Sequence, residues 1–405
     1  MIKKILVTQL KPKMFVSDLN CEGIPHGPKN KRGKIPNEKL IKQISQMGIK
    51  EVYIDTELGL DVKDGEPLAE VEKERQRRLE EASELTPSTK DSISVEDELN
   101  RARKVHGEAK KLIDNVLNNV KMGKNIQLEA IDNITDKMVD SVFRNKDALS
   151  FLGRIRNKNS YLLEHSVNLS VLMSAFGRDT QLDKTILKEI SIGALLHDIG
   201  KILTPDDILN KPDKLTKKEF IQIQDHVING KELLESTPGI SKVSILVAGQ
   251  HHEKIDGSGY PGGLVGNQIS IYGRMCAVVD VYDAITSDRC YHNGITPSAA
   301  LRRMLEWTDH HLDKELVNQF IQCIGIYPVG SLVNLNSHKL AIVLQQGEKS
   351  QKEPRVRIIY NTKQKSYTDV KDIDLAKPSE QDFVVGAADP RQYGIDIGHF
   401  INGFQ

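Results

Sequence analysis

Residues 193–201 read Gly193-Ala194-Leu195-Leu196-His197-Asp198-Ile199-Gly200-Lys201, and the fold turns on where these side chains go. From Thr185 to Ile202, apolar Ile186, Ile190, Ala194, Leu195 and Ile199 fall at helical spacing, which predicts one helix facing a core. A histidine and an aspartate inside such a helix are costly to bury unless each is paired or bound to a metal. As consecutive helical residues they point in different directions, which suits an aspartate that bridges two ions better than one that closes a single site. Lys201, one turn after His197, is expected on the same face, where its ammonium can meet a phosphate oxygen.

Outward from this stretch, further imidazoles and carboxylates form a series: His165, His226, the pair His251-His252, and Asp280. Five of the chain's 12 histidines belong to it. A lone buried histidine is usually a core residue with a satisfied hydrogen bond, but the joint pattern points to metal. Asp280 interrupts another apolar helical run, Ala277-Val278-Val279-Asp280-Val281-Tyr282-Asp283-Ala284, and His251-His252 lead into the glycine-dense Asp256-Gly257-Ser258-Gly259-Tyr260-Pro261-Gly262-Gly263. Asp283 is expected to orient a ligating histidine or Arg289. Seven N/O ligands exceed the needs of one ion. Two divalent ions sharing Asp198 are the economical solution, and with no cysteine in the series iron, manganese, cobalt or nickel fit as well as zinc. Such a pair activates water and clamps a phosphodiester for in-line attack.

The rest of the chain sets the architecture: mainly α, with an all-α catalytic domain at 149–330, a small α/β domain at 1–63 before it and a short β-ribbon at 331–375 after it. In the first domain, strands are expected at Lys4 to Leu10, Met14 to Leu19 and Glu51 to Asp55, with a helix from about Asn37 to Gly48. The segment 64–97 is charged, including Glu72-Lys73-Glu74-Arg75-Gln76-Arg77-Arg78, and reads as a linker or solvated helix. Connecting helices at 98–148 follow. The first has a seam of Val105, Ala109, Leu112, Val116 and Val120, which packs on its own domain or on a partner copy. The catalytic domain carries helices over Tyr161 to Phe176, Lys217 to Leu234, Ser241 to His252, Ile271 to Thr286 and Pro297 to Glu306. Strands are expected at Leu332 to Leu335, Lys339 to Leu344 and Arg355 to Tyr360, and 376–405 reads as a polar tail.

Lys+Arg and Asp+Glu balance at 56 each in 405 residues, so no net charge draws a nucleic acid polymer or an anionic membrane. Cys21, Cys276, Cys290 and Cys323 are scattered and read as free thiols in a reducing compartment. With neither a signal peptide nor a membrane span expected, the cytoplasm is the expected location.

These motifs resemble the HD superfamily of metal-dependent phosphohydrolases, and its HD-GYP branch in particular. The resemblance rests on His197-Asp198 with Lys201, on His251-His252-Glu253-Lys254-Ile255-Asp256-Gly257-Ser258-Gly259-Tyr260-Pro261, and on Asp280-Val281-Tyr282-Asp283-Ala284-Ile285-Thr286-Ser287-Asp288-Arg289. It covers about residues 150–330. The first residues look, more loosely, like the small domain of unknown function often fused ahead of HD-GYP domains. The resemblance implies a bacterial cyclic di-GMP phosphodiesterase that gives pGpG or GMP through a bridging hydroxide. It implies metal ligands at His165, His197, Asp198, His226, His251, His252 and Asp280, catalytic roles for Asp198 and Lys201, and substrate binding by Lys201, Arg289 and Tyr260.

Two departures stand out. Three-metal members carry a glutamate one turn before the first histidine, where this chain has Tyr161, while Glu164 points to another face; two metals are therefore expected. Members commonly follow the arginine with Pro-Tyr and a basic residue, where this chain has Cys290-Tyr291-His292. The competing functions are a non-catalytic cyclic di-GMP receptor and a phosphohydrolase for another nucleotide, such as a mixed cyclic dinucleotide. A homodimer or a partner protein would engage the N-terminal domain and the helix at 98–120.

Overall fold

A computed structural model describes residues 1–20, 32–84, 91–154, 161–209, 211, 215–288, 294–347 and 349–401. The chain divides into two compact units, Met1–Arg78 with Asp206–Ile221, and Leu79–Pro205 with Gln222–Gln405. Helix dominates and both sheets are small and antiparallel, so the mainly-α expectation holds.

The first unit holds β1 (Ile2–Leu6), β2 (Phe15–Asp18), β3 (Gly33–Lys34), α1 (Glu38–Gln46), β4 (Glu51–Asp55) and β5 (Glu66–Pro67), in sheet order β3-β2-β4-β1-β5. Two strands are shorter than expected, and the first runs into a 3-10 turn at Val7–Gln9. Helix α1 begins where the Asn37 side chain accepts the Leu40 N–H at 3.2 Å and ends before Gly48, whose φ is 76°. Ile44 closes a small core with Ile5, Val16, Val52 and Ile54. The charged run forms α2 (Leu68–Ser83), which is only partly solvated, with Val71, Arg75, Leu79 and Ala82 buried. Arg75 lies 5.5 Å over the Tyr53 ring and bonds Glu72, and Arg77 pairs with Glu74.

The second unit begins with α3 (Val95–Lys121), α4 (Leu128–Arg144) and α5 (Lys146–Leu152). Ser94 caps α3 by accepting the Asp97 N–H at 3.1 Å. Its buried stripe is Val105, Ala109, Ile113, Val116 and Val120, packed on α4 and α5, with Ile113 in the place expected of half-buried Leu112. α6 (Tyr161–Asp179) and α7 (Lys184–Leu196) follow; α8 (Asp206–Leu209) and the first turn of α9 (Lys217–Glu235) belong to the first unit, and the rest of α9, α10 (Lys242–Gln250) and α11 (Ile271–Thr286) to the second. α6, α7, α10 and α11 pack in a closed circuit, each against the next, and α3 also packs on α6. α12 (Pro297–Trp307) and α13 (Lys314–Ile324) cover α11.

The expected β-ribbon is a five-stranded sheet: β6 (Leu332–Leu335), β7 (Lys339–Gln345), β8 (Arg355–Asn361), β9 (Ser366–Asp374) and β10 (Val384–Ala387), ordered β10-β6-β7-β8-β9. The tail read as polar contributes β10 and a short α14 (Ile397–Ile401). Among the described residues, no helix is long and apolar enough to cross a membrane. Cys276 and Cys323 are buried free thiols.

Candidate metal centre

The helix expected from Thr185 to Ile202 stops at Leu196. His197 is its C-cap, Asp198 takes φ −96° and ψ 9°, and a 3-10 turn runs from Ile199 to Leu203. Two side chains that a continuous helix would splay apart therefore converge, with His197 Nε2 3.1 Å from Asp198 Oδ2. The break also moves Lys201. It does not share a helical face with His197; it reaches back across the turn to Asp198 Oδ2 at 2.5 Å.

The turn lies hard against α9. A Cβ at Gly200 would sit 2.0 Å from the His226 carbonyl oxygen, so only glycine allows this approach. It brings His226 to the same carboxylate.

All seven expected ligands gather here from five places in the fold: α6, the end of α7, α9, the end of α10, and α11. His165, His197 and Asp280 form one group. His226, His251 and His252 form another. His197, Asp198 and His251 link them. Asp198 divides its oxygens between the two sides: Oδ2 is 3.1 Å from His197 Nε2 and 3.7 Å from His165 Nε2. Oδ1 is 3.3 Å from His226 Nε2 and 3.8 Å from His251 Nε2, and it is buried with no hydrogen-bond partner. Asp280 Oδ1 lies 3.3 Å from His165 Nε2, and its Oδ2 lies 3.8 Å from His252 Nδ1.

Four of the imidazoles have the tautomer a metal needs. His197, His226 and His251 donate Nδ1–H to the carbonyls of Ala194, Ile223 and Ala248 at 2.8, 2.6 and 2.7 Å, leaving each Nε2 lone pair for the centre. His165 donates Nδ1–H to Asp283 Oδ2 at 2.7 Å, and Asn168 holds the other oxygen of Asp283. The expected role for Asp283 thus falls to His165. Asn168 was not singled out from the sequence, although it lies one turn after His165 on the same helix.

The electrostatics match the chemistry of ligands. Burial raises the Asp198 pKa, but the neighbouring His197 and the Lys201 ammonium outweigh it and hold the carboxyl well below the carboxylate range. Asp280 is likewise held low, burial being outweighed by its bond to His165. Burial and the neighbouring His197 and His226 push His251 down to about 3; burial and His251 push His252 well down too, so both are neutral and ready to ligate. His165 is raised to about 9: burial lowers it, but its bonds to Asp280 and Asp283 prevail. An unpartnered buried carboxylate oxygen beside converging imidazole nitrogens and a second low-pKa carboxylate is a donor set that fits divalent cations.

Of the remaining expected residues, Tyr260 lies at the rim, its ring 4.7 Å from His252 and 6.5 Å from His226. Arg289, Cys290, Tyr291 and His292 lie outside the described residues. Glu164 is buried facing α3, where it pairs with Lys110 and lies 3.6 Å from His106, turned away from the ligands as expected.

Sequence comparison agrees with this centre. Residues 153–316 match the family model described as HD domain, and residues 2–131 match the domain of unknown function DUF3391. The chain is 37% identical over 394 residues to the cyclic di-GMP phosphodiesterase PA4108 of Pseudomonas aeruginosa, covering 95% of this chain and 92% of that protein. Over 147 residues it is 35% identical to the 3'3'-cGAMP-specific phosphodiesterase 1 of Vibrio cholerae, or 36% of this chain and 34% of that one. The solved HDG"Y"P protein Bd1817 of Bdellovibrio bacteriovorus aligns with a TM-score of 0.47 at 18% identity, covering 79% of this chain and 98% of that chain. Fold, ligand gathering and sequence define an HD-domain phosphohydrolase. More closely, the chain belongs to the HD-GYP family of metal-dependent phosphodiesterases, with the DUF3391 domain ahead of its HD domain.

Proposed function

We propose that this protein hydrolyses the 3'-5' phosphodiester bonds of cyclic di-GMP, to pGpG or onward to GMP, at a centre for two divalent cations. The observation that carries the reading is the divided Asp198 carboxylate, with one oxygen toward His165 and His197 and the other toward His226 and His251. On this reading His165, His197, Asp280 and Asp198 Oδ2 hold one ion, and His226, His251, His252 and Asp198 Oδ1 hold the other. Iron or manganese is the first choice for this N/O set, with nickel, cobalt and zinc following. Bound ions would supply hydroxide near neutral pH and neutralise charge on the phosphodiester.

The chain's own groups do the rest. Lys201, with its side chain about one-quarter exposed, keeps ammonium protons free of Asp198 to receive a phosphate oxygen. Burial and the charges of Asp198 and Asp280 hold the Tyr260 phenol well above its usual pKa, so its neutral ring forms one wall for a guanine or ribose. Arg289 is proposed as the second phosphate group on the strength of the motif. With the α3 stripe spent on the core, a homodimer or partner protein would use other surfaces of the N-terminal region, and the cytoplasm is the proposed location. The relative specific for a mixed dinucleotide makes that substrate the second reading. Incubating anaerobically purified protein with Mn²⁺ and either cyclic di-GMP or 3'3'-cGAMP tests both: pGpG or GMP from the first supports the proposal, and turnover of 3'3'-cGAMP alone replaces it. Metal-loaded protein that binds cyclic di-GMP without turnover would be a receptor.

A further inference from the structure

The glycine-dense loop after His251-His252 holds Tyr260 at the rim. Its ends are tied by a bridge between Asp256 and Val265 and by the Gly266 N–H, donated to the Ile255 carbonyl at 2.9 Å. Inside the loop lies Glu253, only 3% exposed. Its Oε1 accepts the Gly262 N–H at 2.6 Å and its Oε2 accepts the Leu264 N–H at 3.0 Å. The loop folds down onto the same short segment. The Tyr260 N–H donates to the His252 carbonyl at 3.1 Å, and a Cβ at Gly259 would meet the Lys254 nitrogen at 2.4 Å and the Glu253 Cα at 2.6 Å.

Resting on the function proposed above, we infer that Glu253 is a positioning residue: its carboxylate is the polar core of the loop, fixing Tyr260 over His252 and with it the fit of a cyclic dinucleotide. Glu253 precedes the loop and follows the two histidines directly, so one buried side chain ties loop shape to the metal centre. Both oxygens are needed. In Glu253→Gln the amide NH₂ would face one of the two backbone N–H groups, leaving that donor unpaired in a buried place.

The test compares wild type with Glu253→Gln on cyclic di-GMP and on bis(p-nitrophenyl) phosphate, a diester with no base to set against Tyr260. The expected result is a loss in kcat/KM for cyclic di-GMP at least about tenfold greater than for the small diester, carried by KM, with bound Mn²⁺ at the wild-type level. Glu253→Asp, one methylene shorter and able to reach one amide, should fall between. In a Tyr260→Ala background, Glu253→Gln should change cyclic di-GMP kinetics by less than about twofold, because its effect passes through that ring. Equal losses on both substrates, additive effects in the cycle, lost metal, or an unchanged KM would each overturn the inference. If wild type turns over no cyclic di-GMP, the functional proposal fails instead, and the same comparison is read from calorimetric Kd values for the dinucleotide.

Discussion

Replacing Asp283 by asparagine should weaken one of the two proposed metal sites and spare the other. The side chain is fully buried on α11, with one oxygen accepting the His165 Nδ1–H at 2.7 Å and the other held by Asn168. Asparagine keeps the shape but removes the charge and leaves one acceptor where two donors converge. A hydrogen bond to a charged group contributes about 1.5–3 kcal/mol, and about 1.4 kcal/mol is a factor of ten, so binding at the His165 side should weaken about 10–100-fold. On the other side, His226 and His251 donate to the carbonyls of Ile223 and Ala248, which the substitution does not touch. Anaerobic calorimetric titration with Mn²⁺ should therefore show two steps in wild type and one displaced step in the variant, with circular dichroism confirming the fold. Equal weakening of both steps, or none, would refute the division of ligands.

Three further outcomes follow from the same geometry. Lys201→Met should lower kcat/KM for cyclic di-GMP about 100-fold while bound metal stays at the wild-type level, read by steady-state kinetics and metal analysis. His165, raised to about 9 in the metal-free fold, contributes stability that is full below its ordinary value of 6.5 and is lost as pH rises through about 9. Metal must displace that proton, so affinity should climb up to about tenfold per pH unit below about pH 9 and flatten above it, with proton release measured by calorimetry in two buffers. Gly200→Ala would force a methyl into the His226 carbonyl; a cost of about 1–3 kcal/mol or more should appear as a lower thermal midpoint together with weaker Mn²⁺ binding.

The convergence of the His and Asp residues was legible because burying His197 and Asp198 among Leu195, Leu196 and Ile199 makes no sense without a partner. Where the helix ends was not, since the apolar spacing continues through Ile199 while the backbone turns at Asp198. That break decides what Lys201 touches. Strands β9 and β10 escaped notice because both are sheet edges: in β9 only Ile373 is buried, so no alternation marks it. Helix α2 looked like a solvated run because its few buried positions include Arg75, whose stem and guanidinium cover Tyr53. Glu253 stands in the quoted motif, but its role was not legible there, because its partners are backbone amides, which every residue carries.

The most direct test of the central claim is metal stoichiometry in anaerobically purified protein, with the reaction products identified on the same sample. Two ions per chain in wild type, with pGpG or GMP formed from cyclic di-GMP, and a loss of both ions and turnover in Asp198→Ala, are the expected results. A single ion per chain in active wild type, or full metal content and activity in Asp198→Ala, would contradict a centre built around that divided carboxylate.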